Sequence, residues 1–196
     1  MQFAEVVRRR RMIRSYDTAR SVPADALDAI LEAARRAPSA GLTQGVSLLV
    51  LSTAGRETFW RITADEDSSW LRGMRTAPVL ITVWTSEEAY LDRYAEADKG
   101  WTDRDPARWS APYWFVDAGM ASMAALLSAV DHDLGACCFG IPGDRIPAVR
   151  EAFGVPTSQL SVGVISLGYP NPAPGTGSPT HRARKAQSEV IHRGTW

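Results

Sequence analysis

Apolar residues recur along this chain in two rhythms. Three nearly unbroken runs, Val46 to Ser52, Val79 to Trp84 and Leu160 to Tyr169, have the length and β-branched content of strands buried on both faces. A shorter strand from Gly135 breaks at Gly140-Ile-Pro-Gly143 into a turn. The other rhythm is helical. Residues 2 to 12 place Phe3, Val6, Val7, Arg10, Ile13 and Arg14 at steps of three and four, so the apolar side of a first helix continues into two arginines. A second helix is predicted from Ser21, with Ser21 as its cap, Pro23 in the first turn and Leu27, Ile30, Leu31 and Ala34 as its stripe, ending before Pro38. Further helices are predicted near 55–65, from Ser86, and near 145–153. Residues 113 to 133 are apolar nearly all round, which suits a helix through the centre of the particle or across a subunit interface. Residues 170 to 179 hold too much proline for helix or inner strand and read as an extended arm. The pattern is that of one domain, 1–196, whose arm begins at about 170.

Charge alters this picture at one place. Lysine plus arginine (22) equals aspartate plus glutamate (22), so nucleic-acid binding has no global field to support it. Yet Arg8, Arg9, Arg10, Arg11 and Arg14 crowd one short stretch. Arg8, Arg9 and Arg11 fall on a side that water can solvate, whereas Arg10 and Arg14 extend the core-facing stripe and need an anionic partner. A twin-arginine export signal would need an apolar stretch next, but Ser15-Tyr16-Asp17 follows. The most apolar window, 113–130, contains Asp117, Ser122 and Ser128 and reads as a core helix, not a membrane span. Cys137 and Cys138 are adjacent and cannot staple distant elements, which suits a reducing cytoplasm.

The catalytic inventory is short. The sequence has no phosphate-binding Gly-x-x-x-x-Gly-Lys loop, no dinucleotide Gly-x-Gly-x-x-Gly, no Gly-x-Ser-x-Gly elbow and no zinc-spaced His/Cys cluster. His132, His181 and His192 read as surface residues, and Cys137 as a packed thiol. What remains is cationic: Arg10, Arg14, Arg182 and Arg184 could together hold one phosphomonoester, since guanidinium forks match phosphate oxygens. A phosphate handle without a catalytic side chain points to a phosphorylated cofactor.

Several segments resemble one family. Arg10-Arg-Met-Ile-Arg-Ser-Tyr16, Ala37-Pro-Ser-Ala-Gly-Leu-Thr-Gln44, Asp117-Ala-Gly-Met-Ala121 with Gly135-Ala-Cys-Cys-Phe-Gly-Ile141, and Leu167-Gly-Tyr-Pro170 followed by Arg182-Ala-Arg-Lys185 are similar, in order and spacing, to the nitroreductase-like flavoproteins. The resemblance implies a three-layer α+β fold, a mixed, mainly antiparallel sheet wrapped by helices, in an intertwined homodimer with FMN at the interface. It implies that Arg10, Arg11 and Arg14 meet the FMN phosphate, ribityl chain or pyrimidine edge, with Arg182 and Arg184 on the phosphate. Pro38, Ser39 and Ala40 would come from the second subunit. Phe139, Gly140 and Ile141 would lie by the isoalloxazine, a backbone N–H near Gly140 or Ile141 facing flavin N5. Met12 and Leu42 belong to the same segments but stand where the family usually has serine and often has asparagine, and Arg72 and Arg75 are the nearest cations to its usual Asn and Lys. Trp101, Trp109, Tyr113 and Trp114 occupy the variable lid region and are expected on the substrate side. The implied reaction passes hydride from NADH or NADPH through FMN to an electron-poor small molecule such as a nitroaromatic, quinone or enone. No membrane or nucleic-acid partner is expected. The alternatives are a flavin-dependent oxidase or dehydrogenase of a biosynthetic intermediate, and a colourless arginine-rich binding module.

Overall fold

A computed structural model describes residues 1–64, 67–171 and 183–196. Four strands, β1 (Val46–Ser52), β2 (Val79–Thr85), β3 (Gly135–Phe139) and β4 (Leu160–Gly168), form one sheet in the order β1-β2-β4-β3. Every pairing between these strands is antiparallel; among the described residues the parallel component is an isolated bridge between Met12 and Ala136. Among the described residues seven α-helices surround the sheet: α1 (Phe3–Arg9), α2 (Ala24–Arg35), α3 (Thr53–Thr63), α4 (Ser69–Met74), α5 (Glu87–Ala95), α6 (Tyr113–Asp131) and α7 (Ile146–Phe153).

Strand alternation divides the core in two. Val79, Ile81 and Val83 of β2, with Ile165 and Leu167 of β4, face α2 and α6. Leu80 and Trp84 of β2, with Val164 of β4, face α3, α4 and α7 through Phe59, Trp60, Leu71, Met74 and Val149. This is the expected three-layer α+β architecture. Ala118, Ala121, Ala125 and Ala129 form the inner face of α6, and such small side chains let it lie close to both the sheet and α2. The opposite side of α6 exposes Phe115, Val116, Met120 and Met123. By length and composition alone α6 could cross a membrane, but its alanine face is buried against the sheet.

Four details differ from the pattern-based reading. First, α1 stops at Arg9: Arg10 turns to extended backbone, and the chain then hydrogen-bonds to the sheet, Ile13 N–H donating to the Ala136 carbonyl at 3.0 Å. Arg10 and Arg14 therefore do not prolong a helical stripe, and Phe3 and Val7 are exposed. Second, Pro23, not Ser21, occupies the position before α2. Third, β1 is an edge strand and only partly buried, whereas central β2 is buried throughout. Fourth, α4 has no counterpart in the pattern.

Candidate functional site

The ribbon from Arg10 to Asp17 crosses the end of the sheet where β3 begins and β4 ends. Beyond the Met12–Ala136 bridge, Tyr16 pairs with Pro170, Asp17 N–H donates to the Tyr169 carbonyl at 2.9 Å, and Asn171 N–H donates to the Ser15 carbonyl at 3.0 Å. Tyr16 is buried and its hydroxyl donates to the Ile13 carbonyl at 2.7 Å, with the Ser166 hydroxyl also at 2.7 Å. Two glycines admit the ribbon. A Cβ on Gly73 of α4 would stand 2.2 Å from the Arg14 carbonyl oxygen, and one on Gly135 would stand 2.7 Å from the Ile13 side chain.

The arginines of this stretch do different things. Arg8 pairs with Glu5 at 2.8 Å and Arg9 with Asp133 at 3.1 Å, both at the surface. Arg11 donates to the Arg8 and Arg10 carbonyls at 2.7 and 2.9 Å and is exposed. Arg14 donates to the Met12 carbonyl at 3.2 Å. Arg10 stands apart: its Nη1 is buried with no hydrogen-bond partner among the described residues. A buried guanidinium N–H without an acceptor is costly, and an anion placed there would satisfy it. Arg184 is exposed on the segment 183–196, and Arg182 lies outside the described residues.

The loop after α2 is pinned from three sides. Asp117, 2% exposed in α6, accepts with one oxygen, Oδ2, from the Ala40 N–H at 2.8 Å and from the Tyr90 hydroxyl at 2.7 Å. The Ser39 hydroxyl accepts from the Gln44 N–H at 2.9 Å, and Arg93 Nε donates to the Gly41 carbonyl at 2.8 Å. Arg93 is itself held by Asp98, whose carboxyl the guanidinium keeps down at about 2. Gly41, Leu42 and Gln44 all have positive φ near 60°, and Leu42 is exposed. Positive φ at a leucine is strained backbone, held here by its neighbours. Pro38 and Ser39 also line a cavity of about 490 Å³ that runs along β1 past Leu31, Leu48 and Asp117.

The third segment ends β3. Phe139 is partly buried, and Gly140 and Ile141 follow it at the far end of the strand from the ribbon. Four strand steps, roughly 13 Å, separate Ala136 from Gly140, so a ligand with an anionic end and a flat apolar end could reach from arginines to glycine. Burial pushes the thiols of Cys137 and Cys138 up from their ordinary range, which suits packed side chains. His132 and His192 are exposed; His181 lies outside the described residues.

The rings expected on the substrate side converge. Trp109 contacts Trp101 (centroids 5.3 Å apart), Tyr113 (5.4 Å) and Trp114 (6.5 Å), and also Tyr94 (4.4 Å) and Tyr90 (6.1 Å). Trp114 is buried, and Tyr113 is the most open of the four. The cluster is filled largely by its own rings. Through Tyr90 it reaches Asp117, so it also braces the Ser39–Ala40 loop.

Tyr16 and Tyr90 carry a testable pH effect. Burial, the larger cause in both, raises each phenol; in Tyr90 the hydrogen bond to the Asp117 carboxylate adds to it, while in Tyr16 the Ser166 bond partly offsets it. Unfolded tyrosine ionises near pH 10, so above about that value the unfolded chain releases protons the folded one retains. Their contribution is therefore complete below about pH 10 and falls above it, by about 1.4 kcal/mol per pH unit for each phenol. The buried thiols act in the same direction from about pH 8.5. Urea midpoints measured from neutral to strongly alkaline pH should fall in this way, and Tyr90→Phe should remove one phenol's share of the slope. An unchanged slope in that variant contradicts the assignment.

Sequence reasoning missed two features. Asp117 was visible only as a member of a motif, since its partners lie 77 and 27 residues away. A second aromatic group, Trp60 and Trp70 against Phe139, joins α3, α4 and β3.

Comparisons with known proteins agree with this arrangement. The profile of the Nitroreductase family matches residues 7–169. A protein of Methanothermobacter thermautotrophicus, provisionally named NADH dehydrogenase/NAD(P)H nitroreductase, is 32% identical over 178 residues, 90% of this chain and 81% of its own. A provisionally named nitroreductase of Exiguobacterium sibiricum, crystallised with FMN, superposes with TM-score 0.78 at 24% identity, covering 98% of this chain and 97% of that one. The nitroreductase CinD of Lactococcus lactis, crystallised with nicotinic acid, superposes with TM-score 0.79 at 16% identity, covering 99% and 100%. With the arginine ribbon, the Pro38-Ser39 loop and the glycine end of β3 all inside the matched region, the chain belongs to the nitroreductase family.

Proposed function

We propose that this chain is an FMN-dependent NAD(P)H oxidoreductase that works as a homodimer on an electron-poor small molecule. The observation that carries the reading is the buried Nη1 of Arg10, without a hydrogen-bond partner among the described residues, on a ribbon inside the family match that also carries Arg14. The FMN in the E. sibiricum protein, the nicotinic acid in the L. lactis protein and the name of the M. thermautotrophicus relative support the cofactor and the donor. FMN, when bound, supplies hydride acceptance and donation.

The chain supplies position and electrostatics. Arg10 and Arg14 would hold the phosphate; Arg11, Arg184 and Arg182, the last outside the described residues, are the further cations assigned to the cofactor, and Met12 packs against both halves of the core. Phe139, Gly140 and Ile141 would border the ring, and a backbone N–H there would supply a hydrogen bond toward N5. Pro38, Ser39, Ala40 and Leu42 of a second copy would close the site. Support for that copy comes from the surface: Val116, Met120 and Met123 of α6, at i, i+4 and i+7, with Phe3 and Val7 of α1, leave an apolar face open to solvent. The outer edge of β1 is also unpaired among the described residues; the arm expected after about 170 would cross to the second copy, and its residues 172–182 lie outside the described residues.

Purified protein is expected to be yellow, to release FMN on heating, and to lose its colour anaerobically with NADH or NADPH and regain it with a quinone. A colourless protein that takes up no FMN would defeat the reading. Colour indifferent to both nicotinamides, with rapid air reoxidation after chemical reduction, would move it to an oxidase.

A further inference from the structure

The loop after α2 lies directly on α5. Two glycines make the close approach possible: a Cβ on Gly41 would stand 2.9 Å from the Tyr94 ring, and one on Gly45 would stand 2.5 Å from the Tyr90 ring. Between them the Arg93 Nε bond fixes the Gly41 carbonyl. Tyr90 is fully buried, and its hydroxyl shares Asp117 Oδ2 with the Ala40 N–H. The end of the loop is tied as well, since the Thr85 hydroxyl lies 3.2 Å from the Gly45 carbonyl and 3.0 Å from that of Trp114.

The same two tyrosines carry the tryptophans. Trp109 stands edge-on to Tyr94 at 4.4 Å and to Tyr90 at 6.1 Å, Trp101 lies 4.9 Å from Tyr94, and Trp114 lies 6.3 Å from Tyr90. The Trp101 N–H also donates to the Tyr94 carbonyl at 2.8 Å. Tyr90, Arg93 and Tyr94, at i, i+3 and i+4 of α5, therefore present one surface that meets both the loop and the rings. Close-packed side chains have few alternative arrangements, so the loss of one ring is felt by the next. The loop depends on such support: Leu42 and Gln44 both sit at φ 55°, a conformation that persists in residues with side chains when the surroundings over-determine it.

We propose that the Trp101–Trp109 cluster acts on the cofactor from a distance: Tyr90 and Tyr94 are positioning residues that transmit its packing to residues 39–42, and so set how firmly this loop grips the FMN held by a second copy. The grip on FMN rests on the reading of Pro38–Leu42 as part of the flavin site; the mechanical link between rings and loop does not. Trp109, expected on the substrate side, thereby takes a role on the cofactor side.

Titration of flavin-free protein with FMN tests this. Trp109→Ala should weaken FMN binding about tenfold, and Tyr90→Phe, which keeps the ring and removes one hydrogen bond, about threefold. Trp109→Phe should recover most of the affinity. The visible circular dichroism of FMN-saturated protein should change in Trp109→Ala and return in Trp109→Phe, a signature that lowered stability alone does not produce. Hydrogen exchange at the Ala40 and Gln44 amides should quicken in Trp109→Ala and Tyr90→Phe alike. Gly45→Ala, whose methyl would press on the Tyr90 ring, should weaken FMN binding in the same sense without touching the cluster. Should Trp109→Ala fail to fold, Tyr90→Phe, which deletes a single oxygen, carries the test. FMN affinity and flavin dichroism equal to wild type in Trp109→Ala and Tyr90→Phe overturn the proposal, as does a Trp109→Ala protein whose KM for menadione rises while its FMN affinity is unchanged. Wild-type protein that takes up no FMN overturns the flavin reading and the positioning role with it, whereas faster exchange at Ala40 with unchanged FMN affinity in a yellow protein overturns the positioning role alone.

Discussion

Asp117→Ala is expected to cost about 3 kcal/mol of folding stability, because it strands two donors at once, each worth about 1–3 kcal/mol when buried without an acceptor. The Ala40 N–H and the Tyr90 hydroxyl both point at one carboxylate oxygen. Relief of the buried carboxylate's desolvation offsets part of the loss. Asp117→Asn can keep an oxygen in that place, so both bonds survive in weaker, neutral form and the cost should be about 1 kcal/mol. Urea unfolding measures both values, and hydrogen exchange at Ala40 reports the loop directly. If Asp117→Ala stays within 1 kcal/mol of wild type, roughly the worth of one ordinary hydrogen bond, the carboxylate is not the anchor of the loop.

The second large effect is on the cofactor. Arg10→Ala and Arg14→Ala should each weaken FMN binding by about 10- to 100-fold, as expected from losing a charge-assisted bond worth about 1.5–3 kcal/mol. Arg184→Ala should act in the same sense if the arm meets the phosphate. Arg11→Ala should change affinity by no more than about threefold, since its guanidinium already serves two backbone carbonyls and stands in water. Fluorescence titration of flavin-free protein with FMN measures all four. Equal, small effects across the set would mean that the ribbon is only a solvated cationic face.

Strands and long helices were legible because their signal is local. β2 is apolar along its length since it is buried on both sides, and α6 is apolar nearly all round since sheet, α2 and an open face share it. β1 reads the same way in sequence but lies at the sheet edge, and nothing in seven residues distinguishes an edge from a centre. The end of α1 was illegible for a different reason: Arg10 and Arg11 are good helix formers, and the helix stops because the next residues find better hydrogen bonds on β3 and β4. α4 is six residues long with a glycine in its last turn, too short for a period to show. The arginines announced themselves by crowding. Trp60, Trp70 and Phe139 did not, since their ring contacts span up to 79 residues.

The two glycines that admit the ribbon have a consequence for how such a protein could be redesigned. The bed on which the cations ride is shaped by missing side chains, Gly73 beneath the Arg14 carbonyl and Gly135 beside Ile13, and by main-chain bonds any residue could make. Swapping one basic head group for another therefore leaves the track in place, and its pattern of positive charge can be rewritten to suit a different anion. A single methyl added beneath that track would derail every cation on it together.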